Sequence, residues 1–156
     1  DYVLNKPDYF RELTVQKILE IHRFLTKGLG IPNKIRAGRV GITGTNYKPL
    51  AKANQIQKAL QDLCDLINSK RNVLEKAFIA LLLIAYIQPF EDGNKRTARI
   101  ICNALLLPNK YCPISFRTVE PEDYRYATLL FYEQNSIPSF KKIFMEQLEF
   151  STANYF

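Results

Sequence analysis

The stretch Val73-Leu-Glu-Lys-Ala-Phe-Ile-Ala-Leu-Leu-Leu-Ile-Ala-Tyr-Ile87, followed at once by Gln88-Pro89-Phe90-Glu91-Asp92-Gly93-Asn94-Lys95-Arg96-Thr97-Ala98-Arg99, decides the fold. After Lys76 the first half is apolar on every side at helical spacing, so it reads as a central helix buried all round. Pro89 lacks an N–H and stops it. A polar turn follows, and a new helix starts near Asn94 and runs to Leu107, where Pro108 ends it. Its outer turn is basic (Lys95, Arg96, Arg99) and its later turns are apolar (Ile100, Ile101, Ala104, Leu105).

Elements on either side follow the same logic. Thr14 can cap a helix with Val15, Ile18, Leu19, His22 and Leu25 on one face, ended by Gly28. A helix over about 51–68 points Ile56, Leu60, Leu63, Cys64 and Ile67 inward. Pro121 and Pro138 sit where first helical positions are expected, and Glu122 and Asp123 suit a positive helix start. Between the first two helices the period changes to alternation around Val40 and Ile42, with Gly38, Gly41 and Gly44 interspersed. That predicts a small β-hairpin flap over about 36–49, weakly specified because it is glycine-rich. The expectation is one all-α domain over 1–156: about six or more helices and a flap, with an active-site loop and helix at 88–107.

With 156 residues, 47% hydrophobic and 24% charged, the chain can build a real core and is not a disordered tract. Three cysteines in no C-x-x-C pair predict reduced, structural thiols. One histidine excludes a zinc site built on paired histidines, and His22 on an apolar face reads as a packed core residue. The longest nearly uncharged run, Ala77 to Gln88, is shorter than the roughly 20 residues of a membrane helix. Neither a G-x-x-x-x-G-K-S/T loop nor a G-x-G-x-x-G loop occurs.

The net charge of +7 is unevenly spread. Between Glu20 and Asp62 there are eight bases and no acid: Arg23, Lys27, Lys34, Arg36, Arg39, Lys48, Lys52 and Lys58. Between Asp92 and Glu120 there is again no acid, with Lys95, Arg96, Arg99, Lys110 and Arg117. Such fields attract phosphate; a solvated basic face is the plain alternative, and a specific nucleic-acid role has only net charge behind it. The turn at 88–99 sharpens the phosphate reading. A helix start is an anion site by its dipole and donors. Gly93 admits close backbone approach. Arg96 and Arg99, three apart, share a face and can fork onto adjacent phosphates. Asp92 can hold a magnesium ion bridging phosphate oxygens. The plain alternative is a capped helix whose arginines pair with nearby acids.

The segment resembles the active-site motif of the Fic family, His-Pro-Phe-x-Asp-Gly-Asn-(Gly or Lys)-Arg-x-x-Arg. Pro89, Phe90, Asp92, Gly93, Asn94, Lys95, Arg96 and Arg99 match it. The resemblance extends to Glu20–Leu25 as the family's early helix, to Arg36–Pro49 as its flap, and to Asn103–Leu107 as the end of the motif helix. It implies a mostly helical enzyme that transfers AMP from ATP to a hydroxyl of a target protein. By that resemblance Asp92 binds Mg2+, and Gly93, Asn94 and Lys95 form the anion hole. Arg96 holds the β-phosphate and Arg99 the γ-phosphate, while Phe90 anchors the loop in the core. The flap residues Val40, Ile42, Thr43 and Gly44 hold a target segment as an added strand, and Tyr126 walls the adenine pocket.

Two departures carry consequences. Gln88 stands where the family has the histidine that takes the hydroxyl proton, and an amide has no titratable group near neutral pH. Nucleotide binding with poor transfer is expected. Lys95 is the Doc-like choice, and Doc proteins transfer the γ-phosphate instead, so phosphoryl transfer is the second reading and a silent nucleotide-binding pseudoenzyme the third. The inhibitory Ser/Thr-x-x-x-Glu-(Gly/Asn) pattern is met only loosely at Thr118–Glu122, so restraint is expected from a separate, antitoxin-like protein or from a segment outside this sequence, or is unnecessary if Gln88 already silences the site. The implied setting is a bacterial cytoplasm, or a host cell for a secreted effector, with no membrane partner.

Overall fold

The structure is a computed structural model, described here for residues 2–155. Among these residues there are six α-helices: α1 (Val15–Leu25), α2 (Ala53–Ser69), α3 (Val73–Ile87), α4 (Asn94–Leu106), α5 (Pro121–Gln134) and α6 (Pro138–Tyr155). Short 3-10 turns stand at Pro7–Phe10 and Leu107–Asn109. The all-α expectation holds. No helix among the described residues is long and apolar enough to cross a membrane.

Two compact units make up the chain. One contains the residues up to Val40 with Pro49–Lys110, and the other Gly41–Lys48 with the residues from Tyr111 on. In the first unit α3 packs chiefly against α4 and then α2, and α1 lies against α4. From Ala77 to Ile87 no α3 residue is exposed, as its all-round apolar sequence requires. Asn72 caps its start by accepting the Glu75 N–H at 3.1 Å. α2 buries Ile56, Leu60, Leu63, Cys64 and Ile67. α1 is capped by Thr14, whose hydroxyl accepts the Lys17 N–H at 3.3 Å. Its buried stripe is Val15, Ile18, Ile21 and His22, with Leu19 and Leu25 half-buried.

The second unit packs α5 on α6. Tyr124 meets Phe140 and Phe116 edge-on, with ring centroids 5.4 and 5.7 Å apart. Thr118 and the buried Gln147 share hydrogen bonds.

The hairpin expected at 36–49 is present only as its turn. No strand occurs there among the described residues; the chain bends at Thr43-Gly44, Gly44 has φ +85°, and the Thr45 N–H donates to the Ile42 carbonyl at 3.4 Å. The other backbone donors go elsewhere. Arg36 N–H bonds the Pro89 carbonyl (3.0 Å), Gly38 N–H the Ala51 carbonyl (2.8 Å), and Asn46 N–H the Glu133 carboxylate (3.0 Å). Three glycines in seven residues supply no side-chain ladder to compete with these bonds.

Candidate active site

The site grows from the end of α3. Gln88 takes the left-handed conformation (φ +52°, ψ +58°) that turns the chain out of the helix, and its N–H makes the last helical bond, to Ile84. Its side chain is tied at both ends. Nε2 donates to the Ala85 carbonyl at 2.5 Å, and Oε1 accepts from Asn94 Nδ2 at 3.1 Å.

Asn94, buried at the head of α4, clasps the turn across its base. Its Oδ1 accepts the Phe90 N–H and its Nδ2 donates to the Phe90 carbonyl, both at 2.9 Å. Phe90 is fully buried and lies flat against the His22 ring, with centroids 3.7 Å apart and planes at 10°. His22, also fully buried, donates from Nε2 to the Asp92 carbonyl at 2.9 Å. Burial pushes the His22 pKa down, and the Arg96 charge adds to this, against the opposing pull of the Asp92 carbonyl. A neutral ring has one N–H, and this bond places it on Nε2.

Arg36 holds the other side. Though part of a basic field in the sequence, it is 1% exposed, the largest fully buried side chain among the described residues. Its guanidinium donates to the carbonyls of Gln88 (2.5 Å), Gly38 (2.7 Å) and Ile87 (3.4 Å). A cation at the negative end of α3 is favoured by the helix dipole, and the fork geometry suits several carbonyls at once. The carbonyls of Ile87, Gln88, Pro89, Phe90 and Asp92 thus each accept a bond from Arg36, Asn94 or His22.

Beyond the turn, Gly93 (φ +85°) is the N-cap of α4. A methyl there would lie 3.4–3.5 Å from Thr26 and His22, and its backbone angle favours glycine. Asp92 is exposed; Oδ1 accepts the Gly93 N–H at 2.6 Å and Oδ2 lies 3.3 Å from an Arg96 nitrogen. Such an exposed i,i+4 pair is worth only about 0.3–0.5 kcal/mol, whereas a hydrogen bond to a charged group is worth about 1.5–3. Arg96 therefore loses little by leaving Asp92 for a phosphate. Lys95 is exposed and Arg99 half-buried one turn on.

The first unit thus brings together Gln88, Asp92, Gly93, Asn94, Lys95, Arg96 and Arg99. Val40, half-buried, belongs to the same unit. Ile42, Thr43 and Gly44 belong to the second unit, as does Tyr126, which is 64% exposed on α5. There the flap turn is clasped by α5. Besides the Asn46 bond, Thr45 also donates to Glu133, and these donors hold its carboxyl below the ordinary glutamate range. The Arg125 guanidinium covers Gly44 so closely that a methyl on Gly44 would sit 2.6 Å from its nitrogen. Tyr47 and Tyr132 rings meet at 5.4 Å. The sequence gives no local signal for Arg36, Arg125 or Glu133, because each works on residues far along the chain.

Residues 12–106 match the model of the Fic/DOC family. The chain belongs to that family. Among its Fic relatives, the "Protein adenylyltransferase Fic" of Nematostella vectensis is 32% identical over 119 residues, covering 72% of this chain and 27% of its own length. The chain spans less than a third of the curated relatives it matches, such as the Caenorhabditis elegans protein adenylyltransferase, of which it covers 29%. A Fic family protein from Desulfovibrio desulfuricans shares the fold with a TM-score of 0.77 at 22% identity, over 96% of this chain and 50% of that one. Another Fic-fold neighbour, the effector protein BepC of Bartonella tribocorum, was solved with bound AMPPNP; it aligns with a TM-score of 0.72 at 18% identity, over 93% of this chain and 81% of that one.

Proposed function

We propose that this chain is a Fic-type adenylyltransferase domain over 1–156 that binds Mg·ATP at the turn and α4 start, and that Gln88 makes its transfer of AMP to a target hydroxyl slow. The observation that carries this reading is the turn itself, held from within by Arg36, Asn94 and His22 and opening onto the positive start of α4 with Arg96 and Arg99. In the reaction a hydroxyl oxygen bonds to the α-phosphorus, pyrophosphate leaves, and the hydroxyl proton needs an acceptor. The Gln88 amide has both ends in hydrogen bonds and no titratable group. Loss of a general base costs roughly 10²–10⁴ in rate.

The residues present fit a magnesium ion that arrives with the nucleotide. No group of three or more His, Cys, Asp or Glu among the described residues forms a metal cage. Mg2+ ordinarily needs only one or two carboxylates beside phosphates and water, and the exposed Asp92 supplies one. The ion would neutralise phosphate charge there. Gly93, Asn94 and Lys95 offer the α4 start to the phosphates, and Arg96 and Arg99 their guanidiniums. By the family resemblance alone, Tyr126, exposed on α5, is the candidate adenine wall. The flap residues Val40, Ile42, Thr43 and Gly44 offer backbone to a target segment.

Lys95, exposed at the α4 start, favours γ-phosphoryl transfer as the second reading. Intact-mass spectrometry separates the readings. The chain and Gln88→His are incubated with Mg·ATP, alone and with candidate targets. An AMP-sized adduct with Gln88→His, absent or scarce with the parent, is expected. A phosphate-sized adduct would establish the second reading. No adduct with either protein would leave a silent nucleotide or partner binder.

A further inference from the structure

We propose that His22 is a positioning residue of the phosphate site, which fixes the Asp92–Gly93 peptide plane so that its carbonyl points into the core and away from the nucleotide. This rests on the nucleotide-binding reading above. The plane needs an outside hold. Gly93 has φ +85° and no Cβ, so little in its own backbone resists rotation of that peptide, and Asp92 is exposed. The His22 bond, 70 residues away in sequence, supplies the hold.

In a trans peptide the C=O and the following N–H point in opposite directions, so fixing the Asp92 oxygen fixes the Gly93 N–H. That N–H donates to Asp92 Oδ1 at 2.6 Å, so the same plane also sets where the Asp92 carboxylate stands. A flipped plane would turn a carbonyl oxygen outward beside Arg96, where phosphate oxygens would be repelled. His22 is itself fixed. It is fully buried, stacked flat on Phe90, and its Cδ2 and Nε2 lie 3.5 Å from where a Gly93 methyl would be. Its Nδ1 meets no donor among the described residues, so the ring's one committed polar contact is to the turn.

The test uses two variants with opposite losses. His22→Phe keeps a buried ring to stack on Phe90 and deletes the donor. His22→Gln keeps an amide donor at about the Nε2 position and deletes the ring. Melting temperature without nucleotide, Mg·ATP affinity by calorimetry, and hydrogen exchange of the Gly93 amide without nucleotide are measured on each. His22→Phe is expected to melt within a few degrees of the parent, to bind Mg·ATP roughly tenfold or more weakly, and to exchange its Gly93 amide faster. His22→Gln is expected to melt lower yet bind Mg·ATP more tightly than His22→Phe. Parental affinity in His22→Phe, or affinities that follow the melting temperatures, would overturn the proposal. If the parent binds no Mg·ATP, the nucleotide reading falls. Gly93 exchange then decides whether His22 holds the plane: faster exchange in His22→Phe supports it, and unchanged exchange overturns it.

Discussion

The turn at 88–94 and the flap turn at 42–46 are both tight bends with a glycine in the left-handed region, Gly93 and Gly44, each at φ +85°. They are fixed by opposite means. The first is gripped from inside by buried side chains: Arg36 on two carbonyls, His22 on a third, Asn94 on the backbone N–H and carbonyl of Phe90. The second is clasped from outside, by the exposed Glu133 and by Arg125 lying over Gly44. Buried bonds are costly to break because the freed groups have no water to turn to, whereas exposed ones exchange readily with solvent. A phosphate site needs donors that stay in place. The flap turn, proposed to receive a target segment, is free to shift.

The largest effect should come from Phe90→Ala. Removing a fully buried ring that stacks on His22 should cost about 3–5 kcal/mol, read from the denaturant midpoint. A loss below about 1 kcal/mol would mean that the turn does not depend on the core beneath it. Next comes Arg36→Leu. It leaves the Ile87 and Gln88 carbonyls without their donor and should cost about 2–3 kcal/mol, with faster amide exchange at the α3 end. A neutral or stabilising outcome, known for some apolar replacements of buried charges, would show that the grip is bought with stability rather than adding to it.

Smallest should be Glu133→Gln, with no measurable change in melting temperature and faster exchange of the Asn46 amide. The same clasp should depend on pH. The Glu133 carboxyl is held below its ordinary value by the Asn46 N–H first and the Thr45 hydroxyl second, so the folded state binds fewer protons. Its contribution is complete above the ordinary glutamate range, about pH 4, and is lost as pH falls through the lowered folded value. Asn46 protection, corrected for the intrinsic pH dependence of exchange, that persists into strong acid would show that the flap turn has another anchor.

The contrast between the turns also marks what could be read in the sequence. The five inward residues of α2, the all-round burial of α3, and the prolines opening α5 and α6 were legible because helical periodicity and proline are local signals. The motif residues were legible because all lie within twelve consecutive positions. Arg36 reads in the sequence only as one base of a basic field at the start of the flap, because nothing within a few residues of it reveals that α3 ends against it, 51 and 52 positions later. His22 was assigned to the core, but its bond to Asp92 is a long-range fact. The flap ladder failed to form where glycine left register unspecified and outside acceptors took the donors.

The way Gln88 is held has a genetic consequence. Its amide presents one donor to Ala85 and one acceptor to Asn94, and a neutral imidazole also carries one donor and one acceptor. The Arg36 and His22 bonds to the backbone around it make no use of its side chain. Glutamine and histidine codons differ only at the third base. Under the function proposed above, a single transversion would therefore exchange a slow site for a working one, and the reverse step is equally short.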